Sequence, residues 1–251
     1  MVRDDEKRTE VLEKGDIYFA YRPKAGTGAV EGLEDVQRLY MILSPRYKDL
    51  YRLITIGRKE LPDTETHERN WGLVKRVGRN PDDVEDELDD EVYSTKTMGL
   101  RRLPAARPAG EGVYEIVKHD DHTHLAYKLE LPKRPGMVHD EFDIEEEGSY
   151  IITVKNPENP AQAGGGLDEE QKAEFPQRLK KRFEGRSFVN AVPTELLDYE
   201  GAELVLAGAR EESDIELKPE AETEASAEIF RDLKLEREKH PVKPLFEGEW
   251  E

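Results

Sequence analysis

Three of the chain's six histidines occupy one short segment, 119–124, which reads His-Asp-Asp-His-Thr-His. If Asp120-Asp121 forms a two-residue turn between two strands, His119 pairs with His122. Side chains alternate between the faces of a strand, so His124 then lies on the same face as both. Three neutral imidazoles can bind zinc or another divalent metal and leave a fourth position for water. The segment therefore gives one candidate metal centre, formed by His119, His122 and His124.

The same register places the large apolar side chains of these two strands on the opposite face. That set consists of Tyr114, Ile116, Leu125, Tyr127 and Leu129. The register therefore forms a coherent apolar face whether or not a metal binds. An exposed hairpin tip is the alternative interpretation, because His-x-His is common on strands and Asp-Asp is an ordinary turn. No wider pattern of metal ligands accompanies the segment, which favours the exposed tip.

Two arginines give a second candidate site. Arg22 comes before a proline and the glycine-rich stretch 24–32, and Arg107 comes before a proline and a shorter glycine-containing stretch. One alternative function is therefore a small-ligand binder that uses the cleft between the two β-modules, near Arg22 and Arg107. The segment Gly26–Gly32 lacks Gly-Lys-Ser/Thr and the dinucleotide spacing, so a surface loop is favoured over a phosphate-binding motif.

A third feature is a basic cluster in a predicted helix that follows Pro176. It consists of Arg178, Lys180, Lys181, Arg182 and Arg186. An anionic ligand could bind there. The acidic run Asp82–Glu91 of the same chain offers a simpler partner, and a solvated helix face is the other interpretation.

Strand signals recur along the chain at 16–21, 38–43, 50–56, 71–77, 113–118, 123–131, 149–155 and 203–206. These segments are rich in aromatic and β-branched residues and are separated by proline and glycine turns. The predicted fold class is α+β and β-rich, with antiparallel sheets.

Six short features recur in the same order in the two halves of the β-rich region, including Glu60-Leu61-Pro62 and Glu130-Leu131-Pro132. The order suggests two related β-modules, 15–98 and 99–158, in which the two prolines are equivalent. Hairpins and proline turns recur in any β protein, which is the alternative explanation.

The remaining segments are predicted from composition. Residues 1–14 form a charged N-terminal arm, and residues 166–210 form a small helix–strand element packed on the core. Residues 211–251 form an acidic, partly disordered tail that buries little apolar surface. Trp71 is predicted to lie in the core and Trp250 to anchor the tail.

Composition limits the possible functions. The chain carries 57 acidic and 38 basic residues, giving a net charge of −19, and it has no cysteine. Thiolate chemistry and disulfides are therefore excluded. The negative charge disfavours nucleic acid and anionic membrane as partners. Without an apolar leader or span, the expected location is the cytoplasm.

No standard catalytic motif is present. The preferred functional hypothesis is an acidic interaction or regulatory protein that binds a protein partner. Two alternatives stay open. One is a metal-dependent hydrolase centred on the three histidines, and the other is a small-ligand binder near the two arginines.

Overall fold

The computed structural model describes residues 9–95, 99–119, 121–159, 167–209 and 226–251. Its strands are β1 (Thr9–Pro23), β2 (Val36–Pro45), β3 (Tyr51–Ile56), β4 (Arg69–Gly78), β5 (Glu91–Thr95), β6 (Gly99–Leu103), β7 (Arg107–His119), β8 (His122–Leu131), β9 (Glu147–Lys155), β10 (Phe188–Asn190) and β11 (Glu203–Gly208). The α-helices are short: α1 (Asp82–Glu85), α2 (Met137–Phe142), α3 (Gln177–Phe183), α4 (Glu228–Asp232) and α5 (Lys243–Glu247).

Eight of these strands form a closed antiparallel barrel. Its order is β1-β2-β3-β4-β11-β9-β8-β7, and β7 pairs with β1 to complete the ring. Strand β10 adds to β9 beyond the end of β8, and β5 and β6 form a separate two-stranded ribbon. The β-rich, antiparallel prediction is confirmed, and the closed barrel is more specific than that prediction. Within the described residues, no helix has the length and apolar character needed to cross a membrane.

The barrel consists of two four-stranded meanders, β1–β4 and β7, β8, β9 and β11. Strand β1 pairs with β7 and strand β4 pairs with β11, and both pairs are antiparallel. The strand order of one meander therefore corresponds to that of the other through a two-fold axis perpendicular to the barrel axis. In this correspondence Pro62 follows the third strand of one meander, whereas Pro132 follows the second strand of the other. The predicted equivalence of these prolines is therefore wrong, whereas the predicted boundary at 98 falls between β4 and β7, that is, between the two meanders.

Side chains fill the barrel interior. Alternate residues of β1, namely Ile17, Phe19 and Tyr21, point inward and are completely buried. A cluster of the Tyr21, Phe142 and Trp250 rings, with centroids 5.3–5.4 Å apart, closes the end of the barrel at which β1 ends. An eight-stranded barrel has room either for its own side chains or for one small ligand, and here large buried side chains occupy the interior.

A buried ion pair lies at the opposite end of the interior. Arg52 is completely buried, and its guanidinium donates to both oxygens of Glu13 at 2.5 and 3.0 Å. Glu13 also accepts hydrogen bonds from the Tyr114 hydroxyl at 2.9 Å and from Thr194 at 3.0 Å. Asp198 binds the remaining edge of Arg52 at 2.6–2.7 Å. These bonds fix the segment around 194–198 against the barrel.

Gly15 makes room for the Tyr114 ring, whose hydroxyl donates to Glu13. The Tyr114 ring lies across β1 at Gly15, where an added Cβ would come within 2.7 Å of Cε1 of that ring. Any larger residue at position 15 would displace the ring and break its hydrogen bond to Glu13.

Residues 9–14 are part of the barrel. They pair with β7 as the first part of β1, and Glu13 points inward. The prediction of a charged arm is therefore wrong for residues 9–14, because they form the first part of β1 and Glu13 is buried in the ion-pair cluster.

The C-terminal part of the chain covers the outer surface of β1, β2 and β3. Ile229, Leu233 and Leu245 are completely buried against Tyr18, Ile42 and Leu53 in a second apolar cluster. The prediction of a loosely attached tail is wrong for residues 226–251, while residues 211–225 lie outside the described residues. Ile229 and Leu233 lie four residues apart, but α4 ends at Asp232 and the chain between it and α5 is irregular, so no extended helical stripe marks the docked residues.

Replacing Leu233 with Ala should lower the free energy of unfolding by about 2–5 kcal/mol, because the substitution removes a completely buried side chain. Glu236→Ala in the same segment is the control, since that side chain is exposed; it should change stability by less than about 0.5 kcal/mol. Urea denaturation measures both. Equal stability of the two variants would show that the segment does not dock.

Acid should destabilise the protein partly through Glu13. Burial raises the pKa of Glu13, but Arg52 and Lys48 lower it from 4.5 to about 2. Because the folded pKa lies below the unfolded value, this stabilisation is present above pH 4.5 and is lost as the pH falls toward 2. Between pH 6 and pH 3, the unfolding free energy of Glu13→Gln should therefore fall by about 2 kcal/mol less than that of the wild type. If the unfolding free energies of the wild type and Glu13→Gln fall equally between pH 6 and pH 3, Glu13 is not the source of this acid destabilisation.

Candidate functional site

The histidine hairpin has the predicted register. His119 pairs with His122, Val117 with His124, and the apolar residues of β7 and β8 point into the barrel. The three imidazole rings lie together on the other face, with centroid distances of 4.8, 5.1 and 6.3 Å. Asp120 of the predicted turn lies outside the described residues.

Each of these rings has a separate polar neighbour. His122 Nδ1 lies 2.8 Å from Asp121, His124 Nδ1 lies 3.3 Å from Ser149, and His119 Nδ1 lies 3.4 Å from Thr9. Across the residues that the structure describes, no group of three or more His, Cys, Asp or Glu side chains is arranged to hold a metal ion. The hairpin thus gathers three rings without the convergence of nitrogens that a metal centre requires.

Arg22 has a structural role, because it binds backbone carbonyls of the protein. Its buried guanidinium donates to three backbone carbonyls, those of Glu87 at 2.6 Å, Asp89 at 3.0 Å and Pro104 at 2.5 Å. It also contacts the Tyr40 hydroxyl at 3.4 Å. These bonds fasten the segments on either side of the β5–β6 ribbon to the barrel and leave this guanidinium no direction in which to bind a ligand.

Arg107 lies at a different kind of position, in the wall of a surface pocket of about 430 Å³. Three segments outside the barrel form the pocket around the start of β7: the loop after β1, the base of the β5–β6 ribbon and the C-terminal segment. The lining residues are Gly26, Thr27, Asp90, Arg102, Pro104, Ala105, Arg107, Glu238, Lys239 and Pro241. Of the two predicted arginines, Arg22 thus holds backbone segments in place, while Arg107 lines a pocket together with the glycine-rich loop.

Buried polar atoms without partners lie beside this pocket. Arg107 is only 8 % exposed, and its Nη1 atom has no hydrogen-bond partner among the described residues. The buried Tyr21 hydroxyl, on the residue paired with Arg107, interacts with that guanidinium and has no acceptor for its own hydrogen among the described residues. Trp250 Nε1, on a ring packed against Tyr21, is buried without a partner in the described part of the chain. Unsatisfied buried donors cost free energy, so their concentration here indicates a place where a further acceptor belongs.

The electrostatics of the pocket oppose those of the whole chain. Three basic residues and two acidic ones line it, which gives a local excess of one positive charge in a chain of net charge −19. Arg102 pairs with Asp90 at 2.8 Å, and Lys239 pairs with Glu236 at 3.1 Å. Burial raises the pKa of Tyr21 to about 12, and the nearby Arg107 guanidinium works against that rise. The neutral phenol is therefore a donor at physiological pH.

The backbone fixes the three walls. Gly26 has a φ of +84°, a conformation that glycine adopts without strain, and the loop after it is held by a hydrogen bond from Val30 N to Glu251 O at 3.1 Å. The C-terminal wall is anchored by the buried His240, whose ring lies 2.7 Å from Ala106 O and 3.2 Å from Asp89. The pocket is thus formed by segments that each have an independent attachment.

Sequence reasoning identified Arg107 and the glycine-rich loop but not Arg102 or Lys239. Arg102 belongs to a basic stretch of ordinary appearance, and Lys239 lies in the segment predicted to be a loose tail. Neither has a local pattern that indicates a pocket, because both reach it only through the docking of distant segments.

Comparisons with family models, with curated proteins and with solved structures find no match to this chain. The function proposed below therefore follows from the geometry of the pocket alone.

Proposed function

We propose that the protein binds a small anionic molecule in the Arg107 pocket and that a carboxylate or phosphate group of this ligand contacts Arg107. The observation that carries the proposal is the buried Nη1 atom of Arg107, which has no hydrogen-bond partner within the described residues and lies in the wall of a pocket. A guanidinium prefers an oxyanion with two oxygens in one plane, which carboxylates and phosphates supply.

The other donors near Arg107 support the same class of ligand. The Tyr21 hydroxyl and the Trp250 indole N–H can each donate a hydrogen bond, and Gly26 and Thr27 bring backbone close to the opening. A cationic ligand would bring its charge toward Arg107 and would offer no acceptor for these donors. An anion supplies both the missing charge and the missing acceptor.

The dimensions favour a small metabolite-sized ligand over a macromolecule. A volume of about 430 Å³ lies in the lower part of the range of small-molecule sites, which runs from about 300 to 1,000 Å³. The walls contain Pro104, Ala105 and Pro241 as well as charged side chains. We expect an anionic group at the Arg107 end and a compact, partly apolar body against these residues.

Arg107→Met tests the proposal because it keeps the length of the side chain and removes its charge. Without ligand, this variant should lose little stability, because Nη1 has no hydrogen bond to lose and the interaction of the guanidinium with Tyr21 is the one removed among the described residues. With sodium phosphate or sodium succinate, the wild type should show a saturable rise in Tm that Arg107→Met lacks. A ligand at 100 times its Kd adds about 2.7 kcal/mol of stability.

Arg58→Met is the matched control, because it removes the same charge from an exposed arginine that pairs with Glu68 at 2.7 Å and does not line the pocket. It should change stability by less than about 0.5 kcal/mol and keep the saturable response to the anion. Sodium chloride at equal ionic strength separates site binding from general salt effects. Equal anion responses of the wild type and Arg107→Met would contradict the proposal, and the phosphate and succinate arms show which oxyanion the pocket prefers.

A further inference from the structure

Two aromatic side chains lie exposed on the outer wall of the barrel. Trp71 of β4 is 41 % exposed and Phe188 of β10 is 36 % exposed, and their ring centroids are 5.9 Å apart. The Lys155 ammonium lies 5.7 Å from the centre of the Trp71 ring and pairs with Glu203 at 2.6 Å. The sequence analysis placed Trp71 in the core, and that prediction is wrong because its strand turns this side chain outward.

The basic helix α3 continues this exposed surface. It packs on β10, and Arg186 lies two residues before Phe188 in the chain. Arg178, Lys180 and Arg186 have acidic partners in Glu195, Glu158 and Glu184. The other two basic residues of the cluster, Lys181 and Arg182, are exposed.

The acidic run Asp82–Glu91 does not pair with α3. Its members instead bind Lys234, Lys239 and Arg102, all outside the basic helix. In the described part of the chain, Lys181 has no carboxylate within ion-pair distance, and Arg182 donates to a backbone carbonyl, that of Val192, at 3.3–3.4 Å. Among the described residues, Lys181 and Arg182 on the basic face of α3 therefore form no ion pair with a carboxylate of their own chain.

We propose that the surface formed by α3, Phe188 and Trp71 binds an acidic peptide segment of a protein partner, and that one apolar side chain of this segment packs on the two rings. This interaction is independent of the Arg107 pocket. The argument from charge is local, since at physiological salt electrostatic interactions are screened over about 8 Å. A peptide on this surface therefore senses the basic helix more strongly than the distant carboxylates that give the chain its charge of −19.

The shape of the aromatic pair favours a peptide over a single-stranded nucleic acid. The planes of the two rings are inclined by 52°, so they do not form the parallel platform on which successive bases stack. The exposed parts of the two rings instead form an apolar patch on which one branched or aromatic side chain can pack. The helix spans about 10 Å, so an extended segment of about six to eight residues would cover both the basic residues and the rings.

The test uses an array of 12-residue peptides with graded Asp and Glu content, each made with and without one central Leu or Phe. Full-length protein should bind most tightly to peptides that have both features. Lys181→Glu and Trp71→Ala should each reduce binding at least tenfold. Lys133→Glu, an equal change of charge on an exposed residue after β8, should leave binding unchanged.

Fluorescence locates the bound peptide. The chain has two tryptophans, so Trp250→Phe leaves Trp71 as the reporter, and its emission should change on titration with the best acidic peptide. Binding that is independent of acidic content, or equal binding by the wild type, Lys181→Glu and Trp71→Ala, would overturn the proposal. Preferential binding of an oligothymidylate of equal length, or self-association of the protein in place of peptide binding, would also overturn it.

Discussion

Closure of the barrel is the constraint on which the rest of the structure depends. Pairing of β8 with β9 and of β7 with β1 gives each of the eight barrel strands a neighbour on both sides, so no edge of the ring is left open. Side chains occupy the narrow interior, including the ion pair of Glu13 with Arg52, which other buried side chains satisfy. The two candidate binding surfaces lie where added segments meet the ring, at Arg107 of β7 and at Trp71 of β4.

Those additions differ in what they do. The C-terminal segment buries Ile229, Leu233 and Leu245 against the outer wall and sends Trp250 into the end of the barrel. Arg22 fastens the segments flanking the β5–β6 ribbon by three carbonyls, and it thereby places Arg102 opposite Arg107. One arginine holds the wall of the pocket and the other is left with an unsatisfied donor. The two share a sequence context and differ entirely in their contacts.

Local patterns predicted the strands and the histidine register, because alternation along β7 and β8 fixes which side chains share a face. They did not predict that the barrel closes. Strand β11 pairs with β9, about 50 residues earlier in the chain, and with β4, about 130 residues earlier, and local sequence patterns do not indicate such distant pairings. The docked tail was missed for a related reason. Its apolar residues cover the outside of a sheet, and beyond the helical spacing of Ile229 and Leu233 they follow no extended helical stripe. Of the candidate pocket, only Arg107 and the glycine-rich loop carried a signal in the sequence.

The central claim is that an oxyanion supplies the acceptor that Arg107 lacks. A crystal structure of the wild-type protein grown with saturating phosphate or succinate tests it most directly. We predict an anion oxygen about 2.7–2.9 Å from Arg107 Nη1, with the Tyr21 hydroxyl or the Trp250 indole as a second donor. A structure in which Arg107 Nη1 donates to an acceptor of the protein itself, with only water in the pocket at saturating anion, would contradict the account.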